Sequence, residues 1–211
     1  MAAFNPPLTL LIVDDHFVFR AGLKAVLSLR KDFQVVAEAG DAAGALAAYR
    51  KHEPGMTLMD LRLPDRSGIE ALRAIRQENP AARVLMLTTF DGDEDIHRAL
   101  EAGACGYLLK SVPGPELLRA IEAAALGKRY IPPEVQRRLE ERATFGELTD
   151  REREVLPLVV KGLTNKEIAE ILKFTEFTAK AHVRSMLSKL GAADRTELVA
   201  IAVQRGLVHL E

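Results

Sequence analysis

Short apolar runs alternate with stretches of helical spacing over the first 127 residues of the chain. Five of these runs have the length and composition of buried strands: residues 8–13, 33–38, 56–59, 83–88 and 105–109. Between the runs, apolar side chains recur at helical spacing, as Leu23, Val26 and Leu27 do. Strands that alternate with helices are typical of a parallel sheet with right-handed crossovers. The pattern therefore predicts an α/β fold with a five-stranded parallel sheet.

The pattern changes in the last third of the chain. It weakens at a linker in which Pro132-Pro133 breaks regular structure, and beyond the linker only helical signals remain. Capping boxes mark the helix starts there: Thr149–Glu152 and Thr164–Glu167, with Asp194–Glu197 resembling a third. We therefore predict three segments: an α/β domain over 1–127, a linker with one short helix over 128–146, and a small all-α domain over 147–211.

Composition adds limits to this picture. A chain of 211 residues with 48% hydrophobic content suits two small cores. Its single cysteine, Cys105, excludes an internal disulfide and is expected in the core. No apolar run reaches the ~18 residues that span a bilayer, so we expect a cytoplasmic protein without membrane contact. The net charge of −1 excludes neither nucleic acid nor a cation site, because local patches decide binding.

Polar side chains stand at the ends of four predicted strands: Asp14 and Asp15, then Asp60, then Thr88, then Lys110. Because the ends of parallel strands share one sheet edge, we expect these groups to converge there. Paired carboxylates are hard oxygen ligands that suit Mg²⁺, which would lower the repulsion between Asp60 and a phosphoryl donor. Lys110 and the Thr88 hydroxyl would hold the phosphoryl oxygens. The residues alone therefore predict a phosphorylatable aspartate.

The segment from Thr175 to Leu190 predicts a helix with two unlike faces. Its apolar residues form a stripe, whereas Lys180 and Arg184 recur on another face. A predicted helix over 165–172 and a tight turn precede it, which gives a helix-turn-helix whose second helix fits the DNA major groove. Taken alone, a basic stripe is more often a solvated helix face. Residues 147–211 hold ten Lys and Arg against ten Asp and Glu, so a DNA-binding field would be local.

Several segments follow one another in an order that is known from a protein family. In the first domain they are Val13-Asp14-Asp15-His16, Met59 to Pro64, Leu87-Thr88-Thr89 and Gly103 to Lys110. In the second they are Leu148 to Leu156, Gly162 to Ala169, and His182-Val183-Arg184 with Lys189-Leu190. Together they resemble the bacterial two-component response regulators of the NarL/FixJ class. That resemblance implies a flavodoxin-like (βα)5 receiver followed by a four-helix, LuxR-type helix-turn-helix domain.

The resemblance also implies roles at the acidic edge. Asp60 would be the phosphoacceptor, and a partner sensor histidine kinase would supply the phosphoryl group. Asp15, Asp60 and the backbone carbonyl of Arg62 would hold Mg²⁺, while Asp14 would act through a bound water. His16 is expected to be a surface or loop residue without special chemistry.

A conformational switch follows from the same resemblance. Thr88 and Lys110 would contact the phosphoryl group on Asp60, and the Tyr107 ring would turn inward as Thr88 moves. Phosphorylation of such a receiver shifts an existing equilibrium between two states. A homodimer of the phosphorylated form is expected, with the helix over 194–204 as its dimerisation helix.

Double-stranded DNA is the second partner that the resemblance implies. The positions that read DNA carry over as Lys180, Ala181 and Arg184, with Lys166 and Lys189 as phosphate contacts. In this reading, phosphorylation promotes dimerisation and promoter binding.

Four positions depart from the family pattern. Lys173 stands where the turn usually has glycine, and a left-handed conformation costs a non-glycine residue ~1 kcal/mol. Pro157 lies inside a predicted helix and is expected to kink it. Phe177 and Ala179 stand where a small or polar residue and a β-branched one are usual. Phe177 either packs or meets a thymine methyl group.

Two rival functions remain open. An aspartate-nucleophile phosphatase also places a carboxylate beside Mg²⁺, but its acid/base carboxylate stands two residues further on, where this chain has Arg62. We therefore expect no enzyme. The other rival is a DNA-binding regulator of the same fold that acts without phosphorylation, and the complete set of acidic-edge residues disfavours it.

Overall fold

The computed structural model describes residues 4–89, 92–142 and 145–209. The chain forms two compact units, Met1–Phe90 with Ile96–Gln136 and Asp91–Asp95 with Arg137–Glu211. Within the described ranges, no helix combines the length and the apolar character that crossing a membrane requires.

A parallel sheet organises the first unit. In the described residues its strands are β1 Leu8–Val13, β2 Phe33–Ala39, β3 Met56–Met59, β4 Val84–Thr88 and β5 Gly106–Leu109. Their spatial order is β2-β1-β3-β4-β5, and every neighbouring pair is parallel. The accompanying helices are α1 Phe17–Ser28, α2 Ala42–His52, α3 Gly68–Glu78, α4 Asp93–Glu101 and α5 Gly114–Ala125. The predicted five-stranded parallel sheet is confirmed.

Apolar side chains cover the sheet, as expected for parallel strands. On one face, strand residues such as Leu10 and Leu58 pack with Leu27 of α1 and Ile121 of α5. Cys105 packs against this cluster, and burial raises the pKa of its thiol to about 11. Every residue of β3 and β4 is buried, so both faces of the sheet are covered there. In β1, β3 and β5 the first charged residue stands just after the carboxyl end of the strand.

A tight turn follows β3 and opens α3. The Ser67 hydroxyl accepts a hydrogen bond from the Ile69 N–H, and the Glu70 carboxylate accepts one from the Ser67 N–H, which completes a capping box. Gly68 is required here because a Cβ atom would lie 1.9 Å from the Asp60 carbonyl oxygen. The backbone of Asp60 is therefore packed directly against the first residue of α3.

The described residues after α5 contain helices and no further strand. The helices are α6 Pro133–Arg142, α7 Asp150–Val160, α8 Asn165–Leu172, α9 Glu176–Leu190 and α10 Arg195–Gln204. The predicted small helical domain is confirmed, and the capping boxes at the starts of α7 and α8 are formed. The third predicted box is half formed. Asp194 accepts a hydrogen bond from the Glu197 N–H, but the Glu197 carboxylate accepts from Ala193 instead of Asp194.

The helices α8 and α9 form the predicted helix-turn-helix. Lys173 joins them in the left-handed conformation, with φ 57° and ψ 44°, so the turn keeps the conformation that glycine usually takes there. The Thr175 hydroxyl caps α9 by accepting a hydrogen bond from the Thr178 N–H at 3.1 Å. Pro157 lies inside α7, which continues to Val160. The kink at Pro157 stays a prediction.

Candidate functional site

The first candidate site lies at the carboxyl ends of β1, β3 and β5. Asp14, Asp60 and Lys110 directly follow these three strands. The Asp60 N–H donates to the Val13 carbonyl at 2.9 Å, and the Lys110 N–H donates to the Thr88 carbonyl at 2.7 Å. Because these amides continue the hydrogen bonding of the sheet, the side chains start from fixed positions.

The Lys110 ammonium joins the two buried carboxylates. Its Nζ atom lies 2.6 Å from Asp14 Oδ2 and 2.7 Å from Asp60 Oδ2, and only 9% of the side chain is exposed. Burial by itself lowers the pKa of Lys110, but the hydrogen bonds to Asp14 and Asp60 outweigh burial and hold the pKa above its ordinary value. A cation is therefore fixed beside Asp60 at neutral pH.

Potential metal ligands surround Asp60. One ligand atom from each of Asp14, Asp15, His16 and Asp60 lies within 4.8 Å of the others. Asp14 and Asp60 are buried, whereas 41% of the Asp15 side chain is exposed. Carboxylates are the hard oxygen donors that Mg²⁺ prefers. The residues present therefore fit the Mg²⁺ ion that the sequence predicted.

His16 has a role in this cluster that the sequence did not predict. Its Nδ1 atom lies 2.7 Å from Asp15 Oδ1, and its backbone N–H donates to Asp14 Oδ1 at 2.9 Å. The residue is on the surface, as expected, with 70% of its side chain exposed. Its position directly after Asp14 and Asp15 was the sequence feature that could have predicted its place in this cluster.

Two residues of α1 support the site. The Phe19 ring centroid lies 4.7 Å from Lys110 Nζ, which is a cation–π contact. The Arg20 guanidinium donates a hydrogen bond to the Asp14 backbone carbonyl and lies 3.9 Å from the Glu38 carboxylate. Sequence reasoning missed both residues because neither stands at a strand end.

Three further residues with predicted roles lie near the same edge. Thr88 ends β4 and Tyr107 lies in β5, and both are fully buried. Arg62, two residues after Asp60, forms an isolated backbone bridge with Ser67. The phosphoryl contact of Thr88, the switch at Tyr107 and the metal contact of Arg62 stay predictions.

The second candidate site is the exposed face of α9. Lys180, Ala181 and Arg184 are exposed on this helix, and Lys166 is exposed near the start of α8. The opposite face of α9 is buried in the helical core through Ala179, Val183, Met186 and Leu190. The core therefore fixes the helix from one side and leaves a basic face toward solvent.

Lys189 differs from the other predicted DNA contacts. Its Nζ atom lies 2.7 Å from Glu152 Oε2, and the Glu152 side chain is only 3% exposed. Burial by itself raises the pKa of Glu152, but hydrogen bonds, led by the one from Lys189, outweigh burial and lower the pKa to about 2. Lys189 therefore ties α9 to α7 inside the helical domain.

Two family models match the chain, one in each part. The response regulator receiver domain matches residues 10–122, and the luxR family of bacterial regulatory proteins matches residues 146–202. Among curated proteins, the response regulator protein VraR of Staphylococcus aureus is 39% identical over 204 residues. That alignment covers 94% of this chain and 98% of VraR.

Solved structures match over nearly the whole chain. The response regulator ChrA of a heme-sensing two-component system is 36% identical with a TM-score of 0.58, and the match covers 96% of this chain and 99% of ChrA. RcsB from Salmonella enterica serovar Typhimurium, bound to a promoter in the presence of the phosphomimetic BeF₃⁻, is 26% identical with a TM-score of 0.74. That match covers 93% of this chain and 98% of RcsB.

Proposed function

Because this chain belongs to the two-component response regulators of the NarL/FixJ type, with a receiver domain and a LuxR-type DNA-binding domain, we propose that phosphorylation of Asp60 controls its binding to promoter DNA. The phosphoryl donor is a phosphohistidine of a partner sensor histidine kinase. The observation that carries the proposal is the Lys110 ammonium held between Asp14 and Asp60. Residues 1–127 act as the receiver, 128–146 as the linker and 147–211 as the DNA-binding domain.

The proposed chemistry is the transfer of one phosphoryl group. A carboxylate oxygen of Asp60 attacks the phosphorus atom, so that a P–O bond forms while the P–N bond to the kinase imidazole breaks. The imidazole nitrogen leaves with the electron pair of the broken bond. Lys110 balances negative charge beside the attacking carboxylate. Asp60 is modified by this step, so the chain acts as a phosphoacceptor and not as an enzyme with turnover.

Mg²⁺ belongs to this proposal as a cofactor of the receiver. Asp15, Asp60 and the Arg62 carbonyl would hold it, and Asp14 would contact it through water. When bound, the ion supplies positive charge that lowers the repulsion between the carboxylates and the phosphoryl donor. The Thr88 hydroxyl would donate a hydrogen bond to a phosphoryl oxygen and so couple the phosphorylation state to the Tyr107 ring.

The proposed DNA surface is the basic face of α9. Lys180, Ala181 and Arg184 would lie in the major groove, and Lys166 would contact a phosphate. We assign Lys189 a smaller share of phosphate binding because its ammonium is paired with Glu152. The phosphorylated chain would bind as a homodimer whose half-site centres lie about 10 bp apart. A chain that binds promoter DNA and receives phosphate from a sensor kinase works in the cytoplasm.

The switch is tested with the full-length chain, Mg²⁺ and beryllofluoride, a mimic of the phosphoryl group. Sedimentation and fluorescence anisotropy on duplex DNA measure dimerisation and affinity. We expect a mimic-dependent dimer and tighter DNA binding in the wild type, and neither effect in Asp60→Asn. Glu53→Gln, which neutralises an exposed carboxylate elsewhere in the receiver, should respond as the wild type does. DNA binding that ignores the mimic in both the wild type and Asp60→Asn would favour the phosphorylation-independent regulator.

The DNA surface is tested by Arg184→Ala. If Arg184 contacts a phosphate, affinity should fall for all sequences and the salt slope should decrease by about 1. If Arg184 contacts a base, the preference at one position should relax by about 1–3 kcal/mol. Lys51→Ala removes an exposed cation from α2 and controls for net charge. Unchanged binding in Arg184→Ala would remove this residue from the DNA surface.

A further inference from the structure

The exposed face of α9 carries a large aromatic side chain. Phe177 is the second residue of the helix and is 82% exposed. Exposure alone has no meaning, because single apolar residues are common on protein surfaces. The position of Phe177 is informative, because it lies on α9, the helix that carries the proposed DNA contacts.

Phe177 shares a helix face with the proposed DNA contacts. At 3.6 residues per turn, Lys180, Ala181 and Arg184 all lie within about 60° of Phe177 around the helix axis. The buried stripe, centred on Val183 and Met186, lies on the opposite side of the helix. The helical core therefore does not require an aromatic residue at this position.

The helix cap holds the first turn of α9, in which Phe177 lies. Thr175 and Thr178 are engaged with the helix cap, since their Oγ1 atoms lie 2.8 Å apart and the Thr178 N–H donates to Thr175. In a helix-turn-helix, the residues at the N-terminus of the second helix are those that reach base edges. Phe177 occupies such a position.

The positive charges beside Phe177 indicate what kind of molecule its ring contacts. Its neighbours on the same face, Lys180 and Arg184, are exposed cations, so the face as a whole suits a polyanion. In the major groove, the apolar group available to a phenylalanine ring is the 5-methyl group of thymine. DNA therefore offers phosphates for the two cations and a methyl group for the phenylalanine ring.

We infer that Phe177 is a specificity-determining residue that reads a thymine methyl group in the major groove. This inference rests on the proposed DNA-binding function and adds a base preference to it. Lys180 and Arg184 supply affinity, and Phe177 favours thymine at one position of each half-site. The departure of this chain from the small or polar residue usual at position 177 then has a consequence for operator choice.

The test compares thymine with deoxyuridine, which lacks only the 5-methyl group. The full-length chain with Mg²⁺ and beryllofluoride first selects a site from a random duplex library. Each thymine of that site is then replaced singly by deoxyuridine. Wild type should lose about four-fold in affinity at the thymine that Phe177 contacts, which corresponds to one buried methyl group. Phe177→Ala should bind the two duplexes equally, and Phe177→Leu should keep a preference for thymine.

Two controls separate this inference from its premise. Ile171→Ala removes another exposed apolar side chain, 54% exposed on α8, and should keep the wild-type preference. Arg184→Ala tests DNA binding by the α9 face itself. If the wild type selects no site and Arg184→Ala binds as well as the wild type, the proposed DNA surface fails and the inference fails with it. If a site is selected and Arg184→Ala weakens binding, but Phe177→Ala keeps the full thymine preference, only the role of Phe177 is overturned.

Discussion

The buried carboxylate of Glu152 provides a quantitative test of the helical domain. Glu152 is almost fully buried in α7 and accepts hydrogen bonds from the Lys189 ammonium and from the Thr149 N–H, each at 2.7 Å. The substitution Glu152→Gln removes the charge and keeps the size and an accepting oxygen. We expect it to destabilise the domain at neutral pH and to do so less at acidic pH.

The size of the effect follows from the pKa of Glu152. Its ordinary value of 4.5 falls to about 2 in the folded chain. Each pKa unit corresponds to about 1.4 kcal/mol, so the ionised carboxylate contributes about 3 kcal/mol of stability at pH 7. Because the folded-state pKa is depressed, this stability is present above pH 4.5 and is lost as the pH falls toward 2. At pH 3.5 about 2 kcal/mol of it remains.

The assay must report on the helical domain alone. All three tyrosines of the chain precede residue 131 and the chain has no tryptophan. Tyrosine fluorescence therefore does not report on unfolding of the helical domain. Methyl NMR signals of Val155 and Met186, both buried in the helical core, follow urea unfolding of that domain in the full-length chain. The free energy of unfolding should differ between wild type and Glu152→Gln by about 3 kcal/mol at pH 7 and about 2 kcal/mol at pH 3.5. A difference below about 1 kcal/mol at pH 7, or one that does not change with pH, would refute the reasoning.

Two companion variants locate the source of the effect. Lys189→Met removes the leading hydrogen bond to Glu152, so the double variant with Glu152→Gln should cost less than the sum of the two single changes. Glu154→Gln is the matched control. Glu154 pairs with Arg151 on the surface, where 46% of its side chain is exposed. An exposed pair of this kind should change stability by less than about 1 kcal/mol.

Three further substitutions test other features of the fold. Lys173→Gly should raise the free energy of unfolding, measured with the same methyl signals, by about 0.5–1 kcal/mol because the positive φ is no longer strained. Thr57→Val should stabilise the receiver by about 1 kcal/mol in urea titrations followed by circular dichroism, since within the described residues its buried hydroxyl has no hydrogen-bond partner. Gly68→Ala should destabilise the receiver by about 3 kcal/mol because a Cβ atom would collide with the Asp60 carbonyl. It should also weaken beryllofluoride binding, measured by titration calorimetry, because the collision displaces Asp60.

The strand ends were predictable because they depend on local sequence. A buried parallel strand is a short run of apolar residues, and the first charged residue after it marks the edge of the sheet. Asp60 and Lys110 both follow this rule, although fifty positions separate them. The parallel topology then brings their backbones to the same edge. The helix starts at Thr149 and Thr164 were predictable for a similar reason, since a capping box lies within four residues.

Contacts across long sequence distances were not predictable in the same way. The pair of Lys189 and Glu152 spans 37 positions, and the sequence of α9 alone gives no sign that Lys189 pairs with a carboxylate of α7. Phe19 is equally ambiguous, because an aromatic residue in a helix ordinarily packs in the core. Its contact with Lys110 exists only after β1 and β5 have taken their places in the sheet.

Lys110 and Lys189 each pair with buried carboxylates, but the net charge around the two lysines differs. Lys189 pairs with the carboxylate of Glu152. The two charges cancel, so this ion pair needs no additional ion to balance it. Lys110 contacts Asp14 and Asp60, and Asp15 lies in the same cluster. Three carboxylates against one ammonium leave a formal charge of about −2 in that cluster, which a divalent cation would neutralise. The remaining negative charge suits the acidic edge to the proposed Mg²⁺ ion, whereas the neutral pair in the helical domain is suited to hold α7 and α9 together.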